Sequence, residues 1–254
     1  MRGSSSNPVP APLKTARRGT VKLGAALTRC AACEIRDRTF CSALNGDELG
    51  RLQSIVAQFR VAPGQLLFQE GDEAGNVFNV LSVVVKLYKF LPDGRRQITG
   101  FLFAGDFLGV AAGGIVSYSA EAVSDIVVCR FARRQLYHLF DEFPKLESHL
   151  LGIATDELAA AQDQMLLLGR KTAIEKIASF LINLAQRMKT ESEPSNTVPL
   201  PMPRGDIADY LGLTVETLSR TLGKLAREDL IALPGVYRVT LLRPDDLQEI
   251  AEGF

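Results

Sequence analysis

The chain lacks the features that mark several large classes of protein. Its 254 residues include no apolar run of roughly 18 residues or more, so no segment is predicted to span a membrane. Its 29 basic and 29 acidic side chains cancel, so any contact with nucleic acid must come from a local patch. Only two histidines occur, His138 and His149, at predicted surface or helix positions. No catalytic constellation is visible, and we expect no enzymatic activity.

A signal for export is also missing. The first 29 residues carry six basic side chains and no acid, together with serines and prolines, which predicts a flexible tail over residues 1–29. Arg17 and Arg18 resemble a twin-arginine signal, but the apolar segment that follows them is too short. We therefore expect a cytoplasmic protein. In that reducing environment, four cysteines are more typical of a metal site than of disulfides.

The sequence pattern changes twice along the chain. Residues 30–142 contain a cysteine-rich turn and then short runs of Val, Phe and Leu, separated by turn pairs such as Pro63-Gly64, which predicts an antiparallel roll or barrel. Residues 143–171 predict a long helix, and residues 172–254 a small helical domain that ends in a strand pair. The predicted fold class is α+β, with two domains joined by a helix.

Apolar residues in the long helix follow a heptad seam. The spacings are 3, 4, 3, 4 and 3, through Leu151, Ala154, Leu158, Ala161, Met165 and Leu168. A helix that packs only on its own roll would explain the apolar face as well. Small alanines alternating with large side chains favour close parallel pairing, so we predict a homodimer along this seam.

Residues 204–225 predict a helix-turn-helix. Gly212 can adopt the positive φ of the sharp turn, Leu213 is placed to insert between the helices, and Thr214 can cap the second helix. The outward residues of that second helix are Val215, Glu216, Ser219, Arg220 and Lys224. Arginine pairs with guanine, glutamate accepts from cytosine, and a small apolar group meets a thymine methyl in the major groove. A solvated helical hairpin would explain the leucines but not the Gly-Leu-Thr turn.

The four cysteines fall into a group of three and one distant partner. They are Cys30, Cys33 and Cys41, spaced C-x2-C-x7-C, and Cys129 in an apolar run. Four thiolates suit an iron–sulfur cluster or a tetrahedral zinc ion. Structural zinc sites more often use two CxxC pairs, and this chain has one. Inert or disulfide-forming thiols are the third possibility.

Residues 203–231 resemble the helix-turn-helix of the cyclic-AMP-receptor/FNR superfamily of bacterial regulators, and the stretch from Asp209 to Arg220 is similar to its FNR branch. The resemblance covers nearly the whole chain from Cys30 onward. It implies a double-stranded β-roll of the cyclic-nucleotide-binding type, a dimerisation helix and a winged helix-turn-helix. It also implies promoter DNA and RNA polymerase as partners, with Glu216, Ser219 and Arg220 reading palindromic half-sites of the type TTGAT.

The same resemblance implies a sensor function. FNR-type proteins bind one 4Fe–4S cluster per chain through three N-terminal cysteines and a fourth in the roll, which here are Cys30, Cys33, Cys41 and Cys129. The implied function is activation of anaerobic or microaerobic genes. The intact cluster would order the cysteine turn against the long helix and favour the dimer, and oxygen would reverse this. Nitric oxide or thiol redox state are alternative signals, and an iron–sulfur electron-transfer protein is the alternative from another class.

The chain departs from the superfamily pattern at the nucleotide-binding positions and in one turn. Members that bind a cyclic nucleotide have a glutamate where this chain has Val110 and an arginine in the segment that is here Ser117–Ala120. A buried phosphate without its cation is costly, so we expect no cyclic-nucleotide binding. Relatives usually carry glycine in the turn where this chain has Val83. A β-branched residue at positive φ would be strained there.

Overall fold

The computed structural model describes residues 21–22, 30–188 and 196–253. Most of the predicted tail therefore lies outside the described residues. The exception is a short strand, β1 (Val21–Lys22), which pairs antiparallel with the first strand of the roll and was not predicted. Within the described part of the chain, no helix is long and apolar enough to cross a membrane.

The cysteine segment is compact and leads into a capped helix. Three short 3₁₀ turns, Cys30–Ala32, Arg36–Arg38 and Phe40–Ala43, precede α1 (Gly46–Ile55). Asn45 caps α1 through a capping box with Glu48, in which each side chain bonds to the other residue's backbone N–H. The cap fixes where the segment ends and the helix begins.

Two antiparallel sheets form the predicted roll. Their strands are β2 (Val56–Val61), β3 (Leu66–Phe68), β4 (Asn76–Val80), β5 (Val85–Phe90), β6 (Arg96–Leu102), β7 (Phe107–Leu108), β8 (Ser119–Ala122) and β9 (Ile126–Ala132). The sheet orders are β1-β2-β9-β4-β7 and β3-β8-β5-β6. Alternate apolar residues of both sheets, among them Val80, Val85 and Ile126, are fully buried between them.

Helices connect the roll to a second domain. α2 (Arg133–Glu142) and α3 (Pro144–Arg170) follow the last strand of the roll, and α4 (Ala173–Met188) begins the second domain. α5 (Arg204–Leu211), α6 (Val215–Arg227) and α7 (Pro244–Glu252) complete its helices. This α+β architecture, with a long helix between the roll and a helix-turn-helix, confirms the predicted fold class.

The second domain carries a small three-stranded sheet. The predicted strand pair is present as β11 (Ile231–Gly235) and β12 (Arg238–Leu241). β10 (Thr197–Pro199) adds a third strand on the other side of β12, which the sequence analysis did not predict. Val198 and Leu200 are buried at 3% and 1% exposure, which explains why this short polar stretch is held against the domain.

The second domain is docked on the roll through charged side chains. Lys86 on β5 lies 3.0 Å from Glu121 and 3.1 Å from Asp206 on α5. Arg96 on β6 contacts Asp206 at 2.7 Å and Asp209 at 2.8 Å. We call these five residues the interdomain charge cluster. Because Lys86 and Asp206 are buried and the apolar core is continuous across the boundary, the contact sets the orientation of α5 relative to the roll.

Val83 has the positive φ that its place in the turn predicted. Its φ is 62°, in the left-handed region. Its side chain is 41% exposed and contributes little to the hydrophobic core. The left-handed conformation costs a residue with a β-carbon roughly 1–2 kcal/mol. Glycine avoids that cost but loses more entropy on folding.

Val83→Gly should therefore raise the free energy of unfolding by about 1 kcal/mol and the melting temperature by roughly 2–4 °C. Differential scanning calorimetry on the purified chain measures this. Val110→Gly is the matched control, since Val110 is similarly exposed at 48% but has no positive φ, and that change should lower the melting temperature. A lower melting temperature for Val83→Gly as well would contradict the assigned strain.

Candidate DNA-reading helix and cysteine site

The helix-turn-helix is built by the residues that predicted it. Gly212 ends α5 in the left-handed conformation with φ 62°, and a β-carbon there would meet the Leu168 side chain at 3.3 Å. The Thr214 side chain caps α6 by accepting a hydrogen bond from the Thr217 N–H at 3.1 Å. Leu218, Leu222 and Leu225 bury the inner face of α6. The position and tilt of α6 are thus set by one glycine, one cap and one apolar stripe.

The outer face of α6 is open to solvent. The five residues expected to contact DNA are all exposed: Val215, Glu216, Ser219, Arg220 and Lys224. Glu216 and Arg220 also contact each other at 2.7 Å, one turn apart, which the sequence analysis did not anticipate. An exposed pair of this kind contributes little to stability, so Arg220 can exchange its partner for a base at low cost. Their role in reading bases stays a prediction.

The heptad seam of α3 divides into two parts. Leu151, Leu158 and Met165 are 68%, 60% and 64% exposed. Such exposure is unusual for large apolar side chains, and it is expected for a helix face that binds a second chain. Ala154 and Ala161 are exposed as well. Leu168 differs, because it is half-buried against the helical domain of its own chain. The last seam position therefore also serves an intramolecular contact.

The structure brings the cysteine segment onto the roll beside Cys129. Cys129 lies on β9, buried at 8% exposure in an apolar cluster against which Cys30 and Cys41 pack. Cys33 follows in the same turn, where its N–H donates to the Cys30 carbonyl at 3.3 Å. In the described residues, no group of three or more potential metal-binding side chains has the arrangement of a ready cage. Cys30, Cys41 and Cys129 thus meet in one apolar cluster on the wall of the roll, and Cys33 lies one turn from Cys30.

Burial decides the protonation of the inner thiols. Burial raises the pKa of Cys129 to about 12 and that of Cys41 to about 11, and repulsion by neighbouring thiolates acts in the same direction. Burial and the nearby Cys33 also raise the pKa of Cys30. These thiols are protonated at neutral pH, so a bound metal must displace their protons.

Two amide side chains flank the thiols. Gln58 on β2 and Asn79 on β4 are the direct cross-strand partners of Cys129 on β9. Gln58 Nε2 lies 3.8 Å from Cys129 Sγ, and Asn79 Nδ2 lies 3.5 Å from Cys41 Sγ. Sequence reasoning missed both residues. The signal was present, since Asn79 interrupts an otherwise apolar run, Val77-Phe78-Asn79-Val80.

The cysteine segment also contacts the start of α3, where Ser42 Oγ lies 3.4 Å from His149 Nε2. The first turn of α1, which follows the segment, adds a second contact, in which Lys145 donates to Glu48 at 2.6 Å. Leu146 of α3 is fully buried in the same apolar cluster as Cys129. The segment thus lies between the fourth cysteine and the first turns of the long helix.

Comparison with known proteins identifies both domains. The model of cyclic nucleotide-binding domains matches residues 58–143, and the model of Crp-like helix-turn-helix domains matches residues 175–250. The nitrogen fixation regulation protein FixK of Bradyrhizobium diazoefficiens is 44% identical over 204 residues, which cover 80% of this chain and 86% of that protein. The chain belongs to the cyclic-AMP-receptor/FNR family of transcription regulators.

Other members of this family agree in sequence and in structure. The transcriptional activatory protein AadR of Rhodopseudomonas palustris is 42% identical over 79% of this chain and 84% of its own length. The structure of FixK2 from Bradyrhizobium japonicum superimposes with a TM-score of 0.73 at 34% identity, covering 77% of this chain and 97% of that one. The fold of the family therefore extends through the roll, the long helix and the helix-turn-helix.

Two hydroxyl groups near the nucleotide-binding positions of the roll are hydrogen-bonded to its own backbone. The Tyr118 hydroxyl accepts from the Gly109 N–H at 3.2 Å, and the Ser119 hydroxyl accepts from the Glu70 N–H at 3.0 Å. Residues 107–122 contain no lysine, arginine or histidine. Val110, at the expected glutamate position, is exposed.

Proposed function

We propose that the chain is a dimeric transcriptional activator that responds to oxygen through a 4Fe–4S cluster held by Cys30, Cys33, Cys41 and Cys129. One observation carries the proposal: the segment with three of these cysteines packs against the fourth on one side and against the start of α3 on the other. A ligand that orders the cysteine segment therefore also affects the position of α3, the helix whose exposed heptad seam is available for dimerisation.

The residues present fit such a cluster. Four thiols are the ligand set of a 4Fe–4S cluster, three come from a short turn and one from a rigid strand, and the chain has no further cysteine. The aromatic rings of Phe40, Phe107 and Phe131 lie in the same apolar cluster and limit solvent access. When bound, the cluster supplies the group that reacts with oxygen.

The chain's own residues transmit the state of the turn. Gly105, at φ 107°, lets the backbone of Arg38 approach so closely that a β-carbon would lie 2.9 Å from its carbonyl oxygen. An ordered turn therefore seats tightly on the roll and on α3. Loss of order would withdraw the contact to His149 and weaken the paired helices. A change of about 1.4 kcal/mol in this equilibrium is tenfold in dimer population.

The DNA target and the partners follow from the family and from α6. We propose that the protein binds palindromic promoter sites with TTGAT-like half-sites, which Glu216, Ser219 and Arg220 read. We also propose that it is cytoplasmic and that it contacts RNA polymerase at those promoters. The activating role is supported by the name of AadR, a transcriptional activatory protein.

Anaerobic purification tests the proposed function. The protein should be brown, contain about four iron and four sulfide per chain, and bind its palindrome as a dimer; exposure to air should bleach it and release the DNA. Iron, sulfide and zinc analysis with analytical ultracentrifugation gives the answer. Colourless protein with one zinc per chain would overturn the cluster. Stable colour in air with bleaching only by nitric oxide would overturn oxygen as the signal.

Cyclic AMP should have no effect on this protein. The roll has no cation in residues 107–122 to neutralise a phosphate, and the Gly109 N–H is occupied by Tyr118. Isothermal titration calorimetry at millimolar nucleotide should show no saturable heat, and DNA affinity should not change. A micromolar dissociation constant would show that the roll retains the ligand that its domain family is named for.

A further inference from the structure

Asn79 is a buried amide that is only half satisfied. It is 1% exposed, on a strand whose neighbouring residues are apolar. Its amino group lies 3.5 Å from Cys41 Sγ, while its carbonyl oxygen, also buried, has no hydrogen-bond partner. An unsatisfied buried acceptor costs about 1–3 kcal/mol. A leucine of similar size would avoid that cost, so packing alone does not explain why an asparagine occupies this position.

The amide belongs to a row that points at the thiols. Gln58, Cys129 and Asn79 are cross-strand neighbours on β2, β9 and β4, and direct partners in adjacent strands project from the same face. Cys41 lies above this row, in contact with Asn79. Each of the two innermost sulfurs thus has one amide amino group beside it: Asn79 for Cys41, and Gln58 for Cys129.

Only the amino end of an amide can donate to a sulfur that carries negative charge. Donation to a charged acceptor is roughly twice as strong as donation to a neutral one, and strongest where water is excluded. A neutral thiol gains little from Asn79, whereas a metal-bound thiolate gains much. The placement is therefore costly in the protein without metal and favourable in the metal-bound protein.

We propose that Asn79 and Gln58 are positioning residues of the sensor, which donate N–H···S hydrogen bonds to the cluster ligands Cys41 and Cys129. This rests on the proposed cluster. The hydrogen bonds draw charge from the ligand sulfurs, which raises the reduction potential of the cluster and makes it harder to oxidise. They set how much oxygen the protein tolerates before its cluster is lost.

Asn79→Leu and Gln58→Leu remove each donor and keep most of the side-chain volume. In anaerobically purified protein, each variant should bind the full iron complement. Its reduction potential should be lower, and its iron–thiolate stretching bands should shift in resonance Raman spectra. Cluster loss in air should be faster, on the order of tenfold for Asn79→Leu. Asn76→Leu is the matched control, because Asn76 lies on the same strand three residues away and faces the other side.

The stability of the metal-free protein separates this role from a structural one. Asn79→Leu removes a buried unsatisfied oxygen, so the melting temperature of the metal-free variant should be equal or higher, even though its cluster is lost faster. A residue needed only for packing would lower both. Asn79→Gln, which keeps the amide, should restore part of the lifetime in air.

The two proposals fail differently. Wild-type protein without iron would overturn the proposed function. Iron-loaded wild type and Asn79→Leu with the same potential, the same Raman bands and the same lifetime in air would overturn the hydrogen bonds and leave the proposed function standing.

Discussion

Cys129→Ser should leave anaerobically purified protein without its iron–sulfur cluster. Cys129 is the proposed ligand on the β9 strand, and the proposal already assigns the chain's other three cysteines as ligands in the turn. Iron and sulfide should fall from about four per chain to nearly none. Anaerobic DNA affinity should fall by roughly 5–150-fold, the usual size of such coupling between sites, to the level of air-treated wild type.

The substitution is conservative enough to isolate the ligand. Serine is close to cysteine in volume, so metal-free Cys129→Ser and metal-free wild type should have similar circular dichroism spectra and weak DNA binding of the same strength. Quantitative iron analysis and fluorescence anisotropy on one palindromic duplex measure both effects. Full iron content in the variant would show that Cys129 is not a ligand.

Arg220→Ala should produce the second large effect, on the reading of sequence. Arg220 is exposed on α6, where it pairs with Glu216, so its loss leaves the buried leucine face of the helix untouched. Loss of one bidentate contact to guanine costs roughly 1–3 kcal/mol per half-site, which the palindrome doubles. Anisotropy with matched and guanine-substituted duplexes should show that the variant loses affinity for the first and no longer distinguishes the two.

Lys224→Ala and Arg227→Ala are the matched controls. They lie further along the same helix and are exposed, and we expect them to contact phosphates. Each should weaken binding to both duplexes alike and reduce the slope of affinity against salt by about one. If Arg220→Ala behaved in this way too, the arginine would be a backbone anchor and not a base-reading residue.

The helix-turn-helix could be predicted from the sequence because its signals are local. Gly212, Thr214 and the leucine stripe each act within a few residues, and the structure places all of them as expected. The positive φ at Val83 was expected from the resemblance instead, since relatives usually carry glycine in that turn, and the structure confirms it. The roll followed from short apolar runs and turn pairs, although its strand order did not.

Features that depend on distant residues could not be predicted. Asn79 is 38 residues from Cys41, and the two meet because the cysteine segment packs over β4. Leu168 continues a regular heptad, yet the docked helical domain half-covers it, because tertiary packing competes with the dimer seam for the same side chain. β10 forms because two apolar residues in a polar stretch find a place in a sheet that is completed some 40 residues later.

The interdomain charge cluster has a consequence for genetics. Asp206 and Asp209 lie in the first helix of the helix-turn-helix, but their carboxylates face Lys86 and Arg96 of the roll. Substitutions there would be scored in a reporter screen as defects in DNA binding, although neither side chain is free to touch DNA. Suppressors of such alleles should map to β5 and β6, some hundred residues upstream, as restored pairs of opposite charge.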